Sequence, residues 1–368
     1  MEGPTKIGIL TLQKQIVSYG AALQSYATWK FLKSRGYDVE IIDLSMITRF
    51  RFRLSERYKA PQQSLRKNIV HGLICDYFRH PLRVYRFGMF NRLVKYSKLY
   101  RQVDEIYANP PQYDVYITGS DQSWNPILVH NIEPYLLSFV GKDKKKISYA
   151  ASIGLNDIPS EFKHLYVETL PEYKHISVRE TRAKEIVEGI IGSENVSVVL
   201  DPTMLLSKEQ YLEIAKPYHK KNYLLVYLLG NDIGSLRFAS GIAKKNNLDL
   251  VVIGSKINGI EAVFEPNAGP REWLGLIENA SYVLTNSFHG TVFSLLFGKS
   301  FNTLISDESK VSRIYTLLND FGLMKNIIRD LNVVYDISEY QYNIEEFNNK
   351  LETFRNKSQS WLIDSIEN

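Results

Sequence analysis

The clearest structural signal in the chain is the stretch ASYVLTNSFHGTVFSLLF, residues 280–297. Residues 280–284 are small or apolar and are typical of a short buried strand. Residues 291–297 are typical of the first turns of a buried helix. The hexapeptide TNSFHG, residues 285–290, therefore lies where a strand ends and a helix begins. In open α/β sheets this edge faces the ligand.

The hexapeptide combines an anion site with an acid/base group. N–H groups at a helix start lack intrahelical partners and carry partial positive charge, so they suit a phosphate or a carboxylate. Ser287 suits the cap of that start, Gly290 lets a ligand approach the backbone, and His289 titrates near neutral pH. A lone histidine near a strand end is otherwise a structural hydrogen-bonder. The small polar neighbours of His289 favour an enzyme site.

Strand and helix patterns alternate on both sides of this stretch. The first series has strands at 6–12, 38–44, 113–118, 146–151, 175–179 and 196–200, with helices at 19–34 and 180–189. The second has strands at 223–229, 250–253, 282–285 and 301–305, with helices at 235–246, 270–278, 291–297 and 311–320. Two such series predict an α/β protein with two Rossmann-like, doubly wound domains that face each other across a cleft. We expect domains at 1–203 and 204–335, with 336–368 as a helix that packs back on the first.

The composition is that of an ordinary soluble globular protein, with 368 residues, 44% of them hydrophobic and 23% charged. The single cysteine, Cys75, excludes an intrachain disulfide framework. A strand pattern begins at residue 6 with no signal-peptide pattern before it. No apolar stretch approaches the roughly 18 residues that cross a bilayer. We therefore expect a cytoplasmic protein.

Residues 49–101 form a basic, aromatic insertion in the first domain. They contain 14 Lys and Arg against two acids, Glu56 and Asp76, so the insertion carries +12 in a chain of net charge +5. Its apolar clusters, 69–74 and 84–90, have helical patterns. Interleaved basic and aromatic residues favour contact with an anionic membrane surface, and the alternative is a solvated helical insertion. Nucleic acid is not an expected partner because no binding motif accompanies the charge.

Several common catalytic and cofactor motifs are missing from the sequence. There is no HExxH, no paired cysteine motif and no DxD with an apolar approach, so the sequence predicts no metal site. No GxGxxG follows the first strand pattern, which argues against a dinucleotide cofactor. A P-loop and a Gly-x-Ser-x-Gly motif are also missing, which disfavours an NTP hydrolase and a serine hydrolase.

Polar residues at predicted strand ends should line the cleft. Asp121, in the loop GSDQSWNP (119–126), suits a general base or a binder of sugar hydroxyls, and it equally suits a turn cap. The ring of Trp124 suits either stacking on a sugar or packing in the core. Arg179 ends an apolar run, where an anionic ligand or an internal salt bridge would satisfy its charge. Lys310 follows in the second domain, in the run DESKV (307–311).

The order of these motifs resembles that of the polysaccharide pyruvyl transferase family. The resemblance covers most of the chain and rests on SYGAALQSYA (18–27), GSDQSWNP (119–126), SVRE (177–180), LDPT (200–203), TNSFHG (285–290) and SKV (309–311). It implies a fold of the two-Rossmann GT-B type. Members of the family transfer the pyruvyl group of phosphoenolpyruvate to two hydroxyls of a sugar, which makes a cyclic ketal on a cell-surface polysaccharide precursor.

The resemblance also implies roles for individual residues. His289 would be the general acid, protonating either the methylene carbon or the departing phosphate, and Asp121 would be the base. The residues implied in donor binding are Arg179, Lys310, Asn286, Ser287 and Gly290. Those implied in acceptor binding are Gly20, Gln24, Ser120, Gln122, Trp124 and Asn125. Phosphoenolpyruvate is the donor substrate, and neither a cofactor nor a metal ion is expected.

The implied acceptor is a hexose, most commonly galactose, on a polyprenyl diphosphate in a capsular or exopolysaccharide precursor. Such an acceptor would place the enzyme peripherally at the inner membrane leaflet, where the basic insertion would meet an anionic surface. The main alternative is a GT-B glycosyltransferase that uses a nucleotide sugar, with Glu261 or Glu265 on the ribose. A second alternative is a non-catalytic scaffold, although such a protein would be expected to have lost the charged site residues. The bridged hydroxyl pair, the ketal stereochemistry and the oligomeric state stay open.

Overall fold

Two parallel β-sheets, each of six strands, form the framework of the chain. The structure is a computed structural model that describes residues 3–13, 17–44, 79–129, 131–230, 232–305, 311–332 and 336–368. The strands of the first sheet are β1 (Lys6–Leu10), β2 (Asp38–Ile41), β3 (Val115–Thr118), β4 (Lys145–Ala151), β5 (His175–Val178) and β6 (Val196–Val198). Those of the second are β7 (Tyr223–Tyr227), β8 (Asp249–Val252), β9 (Val263–Phe264), β10 (Tyr282–Thr285), β11 (Ser300–Leu304) and β12 (Ile327–Ile328).

The strand order shows that both sheets are doubly wound. It is β2-β1-β3-β4-β5-β6 in the first sheet and β12-β11-β10-β7-β8-β9 in the second, and every neighbouring pair is parallel. Central strands are apolar throughout because helices cover both faces; all five residues of β7, for example, are buried. The predicted α/β fold with two Rossmann-like domains is confirmed.

Helices connect the strands at the predicted places, and three further helices, Val103–Ala108, Ser160–Thr169 and Lys208–Leu212, were not predicted. The described helices are α1 (Tyr19–Ser34), α2 (Pro81–Asn91), α3 (Val103–Ala108), α4 (Ser160–Thr169), α5 (Thr181–Ile191), α6 (Lys208–Leu212), α7 (Ile233–Lys245), α8 (Pro270–Asn279), α9 (Phe288–Leu296), α10 (Ser312–Asp320) and α11 (Ile344–Glu367). The bounds of α1 are those predicted. Helix α9 begins three residues earlier than predicted, because Ser287 caps it by accepting a hydrogen bond from the Gly290 N–H at 3.4 Å.

Aromatic side chains join the two domains. The ring of Tyr19, in α1, stacks on that of Trp273, in α8, with the centroids 5.3 Å apart. The Tyr19 hydroxyl also donates to the backbone carbonyl of Ala268 at 2.8 Å. Buried residues of both domains belong to one continuous hydrophobic cluster. The domains are therefore held against each other by a core rather than by a few surface contacts.

Helix α11 crosses back to the first domain. Trp361 contacts the ring of Tyr149, with centroids 6.2 Å apart, and the Lys145 ammonium donates to the Ile366 carbonyl at 2.8 Å. Ser358 accepts from the backbone N–H of Leu200 at 3.0 Å. The chain thus passes from the first domain to the second and returns to the first through α11. The limits 1–203, 204–335 and 336–368 stay a prediction.

Residues 45–78 lie outside the described residues. They include the first part of the basic insertion, 49–78, and its predicted helical cluster 69–74. The second predicted cluster, 84–90, is helical and lies within α2. Phe87 and Phe90 of α2 pack on α1, while Arg86 pairs with Glu272 of α8 at 3.2 Å. In the described ranges we found no helix whose length and apolar character suffice to span a bilayer.

Candidate functional site

The carboxyl ends of β3, β5, β6 and β10 converge on His289. This residue belongs to the hexapeptide 285–290, lies in the first turn of α9, and is 7% exposed. Its Nε2 is buried, has no hydrogen-bond partner among the described residues and lies 3.6 Å from Oδ2 of Asp201. A buried imidazole nitrogen without a hydrogen bond beside a carboxylate is suited to proton transfer.

Asp201 is the acidic centre of the site. It follows β6 and caps a short 3₁₀ helix, Pro202–Met204, with Oδ1 accepting from the Thr203 N–H at 3.0 Å and its hydroxyl at 2.6 Å. Its Oδ2 accepts from Arg179 at 2.5 Å and from the Ser120 hydroxyl at 3.3 Å. Burial alone would raise the pKa of Asp201, but the positive charges of His289 and Arg179 hold that pKa well below its ordinary value. Asp201 is therefore a carboxylate in the folded protein.

Arg179 links two carboxylates beneath the site. Its Nη1 donates to Asp201, its Nη2 lies 3.4 Å from Oδ1 of Asp121, and its guanidinium carbon lies 4.4 Å from the Phe288 ring centroid. Burial opposes the charge, yet the carboxylates of Asp201 and Asp121 raise the pKa of Arg179. Of the two alternatives considered for Arg179, the structure shows the internal salt bridge. Within the ranges that the structure describes, Nε of Arg179 is buried and has no hydrogen-bond partner.

Asp121 lies at the other end of this chain of charges. It follows β3 with φ of 60°, a left-handed conformation that aspartate tolerates better than most residues. Its side chain is 13% exposed, against 1% for that of Asp201. Asp121 is thus the more exposed carboxylate of the pair.

Gly20 meets His289 across the domain boundary. A Cβ built on Gly20 would lie 2.1 Å from Nδ1 of His289, well inside van der Waals contact. The second residue of α1 is therefore packed directly on the imidazole. The sequence analysis placed Gly20 and His289 at the same site. In the structure Gly20 faces the imidazole itself and not an open space for a ligand.

Two of the predicted donor-binding residues have structural partners. Asn286 bridges to Leu229, accepting from its N–H at 2.6 Å and donating to its carbonyl at 3.2 Å. At Gly290 a Cβ would lie 2.3 Å from Oγ1 of Thr285, so this glycine is needed for packing against the preceding strand. The prediction that Gly290 admits a ligand is wrong for that reason. Ser287 is the helix cap, as predicted, and Lys310 lies outside the described residues.

The predicted acceptor residues Trp124 and Gln24 are both in the core. Trp124 is 0% exposed, packs edge-on against Tyr173 and donates to the carbonyl of Tyr135 at 3.2 Å. Gln24 is also 0% exposed, and its amide donates to the Thr11 hydroxyl at 2.9 Å. The prediction that these two side chains contact a sugar is wrong, because neither presents any surface to a ligand.

The remaining acceptor candidates support the loop after β3. Ser120 is buried and donates to Ala150 and to Asp201. Asn125 is buried too and caps the turn by accepting from the N–H groups of residues 127 and 128. Gln122, which is partly exposed, accepts from the Asn125 amide at 2.9 Å. Ser120 and Asn125 thus serve to shape the loop, and among these three Gln122 alone keeps surface for an acceptor.

Three residues of the site were not predicted individually: Asp201, Glu180 and Arg313. Glu180 is buried, and its Oε1 accepts from Ser152 at 2.9 Å and from the N–H groups of residues 153 and 154, which fixes the loop after β4. The signal that selected Asp121, an acid directly after a buried strand, applies equally to Asp201. Arg313, whose guanidinium carbon lies 6.0 Å from the Phe288 centroid, follows Lys310 by three residues and has no such signal.

The acids considered for a ribose lie away from this cluster of contacts. Glu265 accepts from the Tyr218 hydroxyl at 3.1 Å, and Glu261 is exposed. Among the described residues, no group of three or more His, Cys, Asp or Glu side chains is arranged to hold a metal ion. The site described by its contacts is therefore an acid/base pair, His289 and Asp201, tied through Arg179 to a second carboxylate.

Comparisons with known proteins identify the family of the chain and support the fold. A family model described as polysaccharide pyruvyl transferase matches residues 19–308. A search of curated proteins found no match.

Solved structures with the same fold are only distantly related in sequence. An Arabidopsis thaliana protein, UGT89C1, in complex with UDP-L-rhamnose, is similar with a TM-score of 0.54 at 12% identity, covering 99% of this chain and 100% of that one. The UDP-GlcNAc 2-epimerase of Neisseria meningitidis has a TM-score of 0.54 at 9% identity and covers 98% of both chains. These similarities support the predicted fold of the GT-B type, and they show the fold alone.

Proposed function

Because the chain belongs to the polysaccharide pyruvyl transferase family, we propose that it moves the pyruvyl group of phosphoenolpyruvate onto two hydroxyls of a hexose. Phosphate is released, and the acceptor is a lipid-linked capsular or exopolysaccharide precursor, with galactose as the first sugar to test. The observation on which the proposal rests is the unbonded, buried Nε2 of His289 at 3.6 Å from the Asp201 carboxylate. That pair supplies the acid that an enol phosphate needs.

The proposed reaction is a redox-neutral addition and displacement at C2 of the donor. A proton added to the methylene carbon turns the enol double bond into a methyl group and leaves C2 electrophilic. The first sugar hydroxyl then bonds to C2 and gives up its proton. The second hydroxyl bonds to the same carbon and loses its proton while the C2–O bond to phosphate breaks. Phosphate departs with the electron pair and takes up a proton. One donor and one diol thus give one ketal and one phosphate.

His289 is the proposed proton donor. As an imidazolium it would be stabilised by Asp201, whose carboxylate stays ionised beside it. The proton goes either to the methylene carbon or to the departing phosphate. Exchange of solvent deuterium into the methylene hydrogens of phosphoenolpyruvate distinguishes these roles: His289→Ala should lose this exchange if His289 protonates carbon, and keep it if His289 protonates the departing phosphate.

Asp121 is the proposed base for the sugar hydroxyl. Its side chain is more exposed than that of Asp201, and Arg179 joins the two carboxylates. Because Arg179 shares its charge between them, Asp121 can take up a proton without leaving an unpaired buried cation. In this proposal Nη1 and Nη2 of Arg179 position the two acids.

The acceptor's lipid would be met by the outer face of α2. Leu82, Tyr85 and Met89 are 44%, 62% and 40% exposed, and their spacing of three and four residues puts them on one face of the helix. Arg79 and Arg92 are exposed at its two ends. Apolar side chains flanked by arginines suit an anionic lipid surface, where the charges attract and the apolar groups insert.

The first experiment measures phosphate release from phosphoenolpyruvate with and without a lipid-linked galactoside. We expect acceptor-dependent release, with a product heavier by one ketal-linked pyruvate. His289→Ala should lose release, while His219→Ala, which removes an exposed histidine, should keep it. Phosphate release that is independent of every acceptor tested, or an unaltered His289→Ala enzyme, would contradict the proposal. UDP binding without any donor turnover would instead favour a nucleotide-sugar transferase.

A further inference from the structure

A cavity of about 180 Å³ lies beside the catalytic cluster. Its walls come from the segment after β6, from α10 of the second domain and from α11, so all three parts of the chain enclose it. The charged and polar groups that line it include Arg179, Asp201, Arg313, Asp320 and Lys357, and the ring of Phe288 forms one side. The cavity therefore shares Arg179 and Asp201 with the site. Three of the charged side chains that line it are cations and two are carboxylates.

Arg313 is one of three cations that line this cavity, and in the described part of the chain it forms no ion pair with a carboxylate. The acids that act on it are Glu180, Asp121 and Asp201, and each is already engaged elsewhere. Glu180 accepts three hydrogen bonds from the loop after β4, and the two aspartates share Arg179. Within the described part of the chain, Nε of Arg313 is buried with no hydrogen-bond partner.

The surroundings of Arg313 make its charge costly unless an anion is present. Burial lowers the pKa of Arg313, and the like charge of Arg179 lowers it further. Both guanidinium groups lie against the Phe288 ring, which excludes water from their faces. Nε of Arg179 is also buried and unbonded. Two guanidinium groups with free donors beside one cavity are complementary to an oxyanion.

We propose that Arg313, supported by Nε of Arg179, binds the phosphate group of the donor in this cavity. The inference rests on the proposed function for the donor's identity, and it assigns donor binding to a residue outside the motifs discussed so far. Phe288 and His289 are adjacent, with ring centroids 5.2 Å apart, so a phosphate held against Phe288 is close to the proton donor. Arg179 would then serve both the carboxylates and the anion.

The first arm of the test measures inorganic phosphate binding by calorimetry, with no sugar present. Wild type is expected to bind, Arg313→Gln to bind at least about tenfold more weakly, and Arg313→Lys to fall between them because lysine lacks the two-pronged geometry. Arg237→Gln is the matched control, since it removes an exposed arginine from α7. If Arg313→Gln does not fold, the phosphate affinity of Arg313→Lys is compared with that of Arg237→Gln instead. Unchanged phosphate binding in the folded Arg313 variant overturns the inference.

The second arm identifies the source of the phosphate. In the transfer assay, Arg313→Lys should raise KM for phosphoenolpyruvate several-fold and leave KM for the lipid-linked acceptor unchanged. The reverse pattern would assign the cavity to the acceptor's diphosphate and overturn the inference. Arg313-dependent phosphate binding in a protein that turns over no phosphoenolpyruvate would refute the proposed function while leaving an anion site. If Arg313→Lys transfers the pyruvyl group with an unaltered KM for phosphoenolpyruvate, the proposed function stands and the inference about Arg313 is overturned.

Discussion

Gly20 and His289 touch across the two domains: a methyl carbon at position 20 would lie 2.1 Å from Nδ1 of the imidazole. Gly20 belongs to α1 on the first domain and His289 to α9 on the second. The imidazole is thereby held between the backbone of one domain and the Asp201 carboxylate, 3.6 Å from Nε2. Closure of the two domains is part of how the acid is positioned.

Gly20→Ala should therefore inactivate the enzyme through His289. Alanine stabilises a helix by about 1 kcal/mol relative to glycine, but overpacking costs about 1–3 kcal/mol, so we expect no gain in stability and a large loss of kcat. The matched control is Gly241→Ala in α7, where a Cβ would meet nothing within 4 Å and stability should rise. Thermal unfolding and turnover measured on both variants check this. An active Gly20→Ala enzyme would mean that the contact does not position the imidazole.

Asp201→Asn should destabilise the fold and remove part of its acid sensitivity. Breaking a buried ion pair costs about 3–5 kcal/mol, because Arg179 would be left with less compensation. The pKa of Asp201 is lowered in the folded state, whereas an unfolded aspartate titrates near its ordinary value of about 3.9. Its contribution to stability is therefore complete above about pH 5 and declines as the pH falls, since only the unfolded state takes up the proton.

Urea unfolding at pH 6, 5 and 4 measures this effect. The free energy of unfolding should fall more steeply with acidification in wild type than in Asp201→Asn. Asp201 contacts both Arg179 and His289, so the difference between the two slopes reports the carboxylate together with these contacts. Parallel slopes would show that the carboxylate is not ionised in the folded protein, and the assigned role beside His289 would then be wrong.

The outer face of α2 should bind anionic lipid. Wild type is expected to pellet with vesicles that contain an anionic phospholipid, and to do so less at high salt, since each basic residue near the surface adds about 1 kcal/mol that salt screens. Leu82→Glu combined with Met89→Glu should abolish pelleting without unfolding the protein, because both side chains are already exposed. Val167→Glu, at an exposed position of α4, is the control and should pellet normally. Turnover of a short soluble acceptor should persist in all three proteins.

Local patterns predicted the sheets and helices because burial repeats with the period of each element. The bounds of α1 agree with the sequence prediction to the residue, since Ser18 caps its start. The pairing of Asp201 with His289 was not predictable in this way. The two residues lie on different domains, and only the docking of those domains brings the carboxylate to the imidazole.

Residue type also failed to separate surface from core in the loop after β3. The motif GSDQSWNP contains one side chain that reaches the site, Asp121, and one that lies entirely in the core, Trp124. Both are common in sugar-binding loops and both follow the same buried strand. The left-handed backbone of Asp121 turns the chain between them, and this turn leaves no periodic signal in the sequence.

Trp124 provides a direct test of that distinction. A core role predicts that Trp124→Ala costs about 3–5 kcal/mol of stability, because it removes a wholly buried ring and its hydrogen bond to Tyr135. Trp124→Phe should cost less and leave KM for the acceptor unchanged. A sugar-stacking role predicts the reverse, with acceptor KM raised in both variants and stability nearly constant. Thermal unfolding and acceptor titration of the phenylalanine variant separate the two, since that variant keeps most of the packed ring and therefore folds under either account.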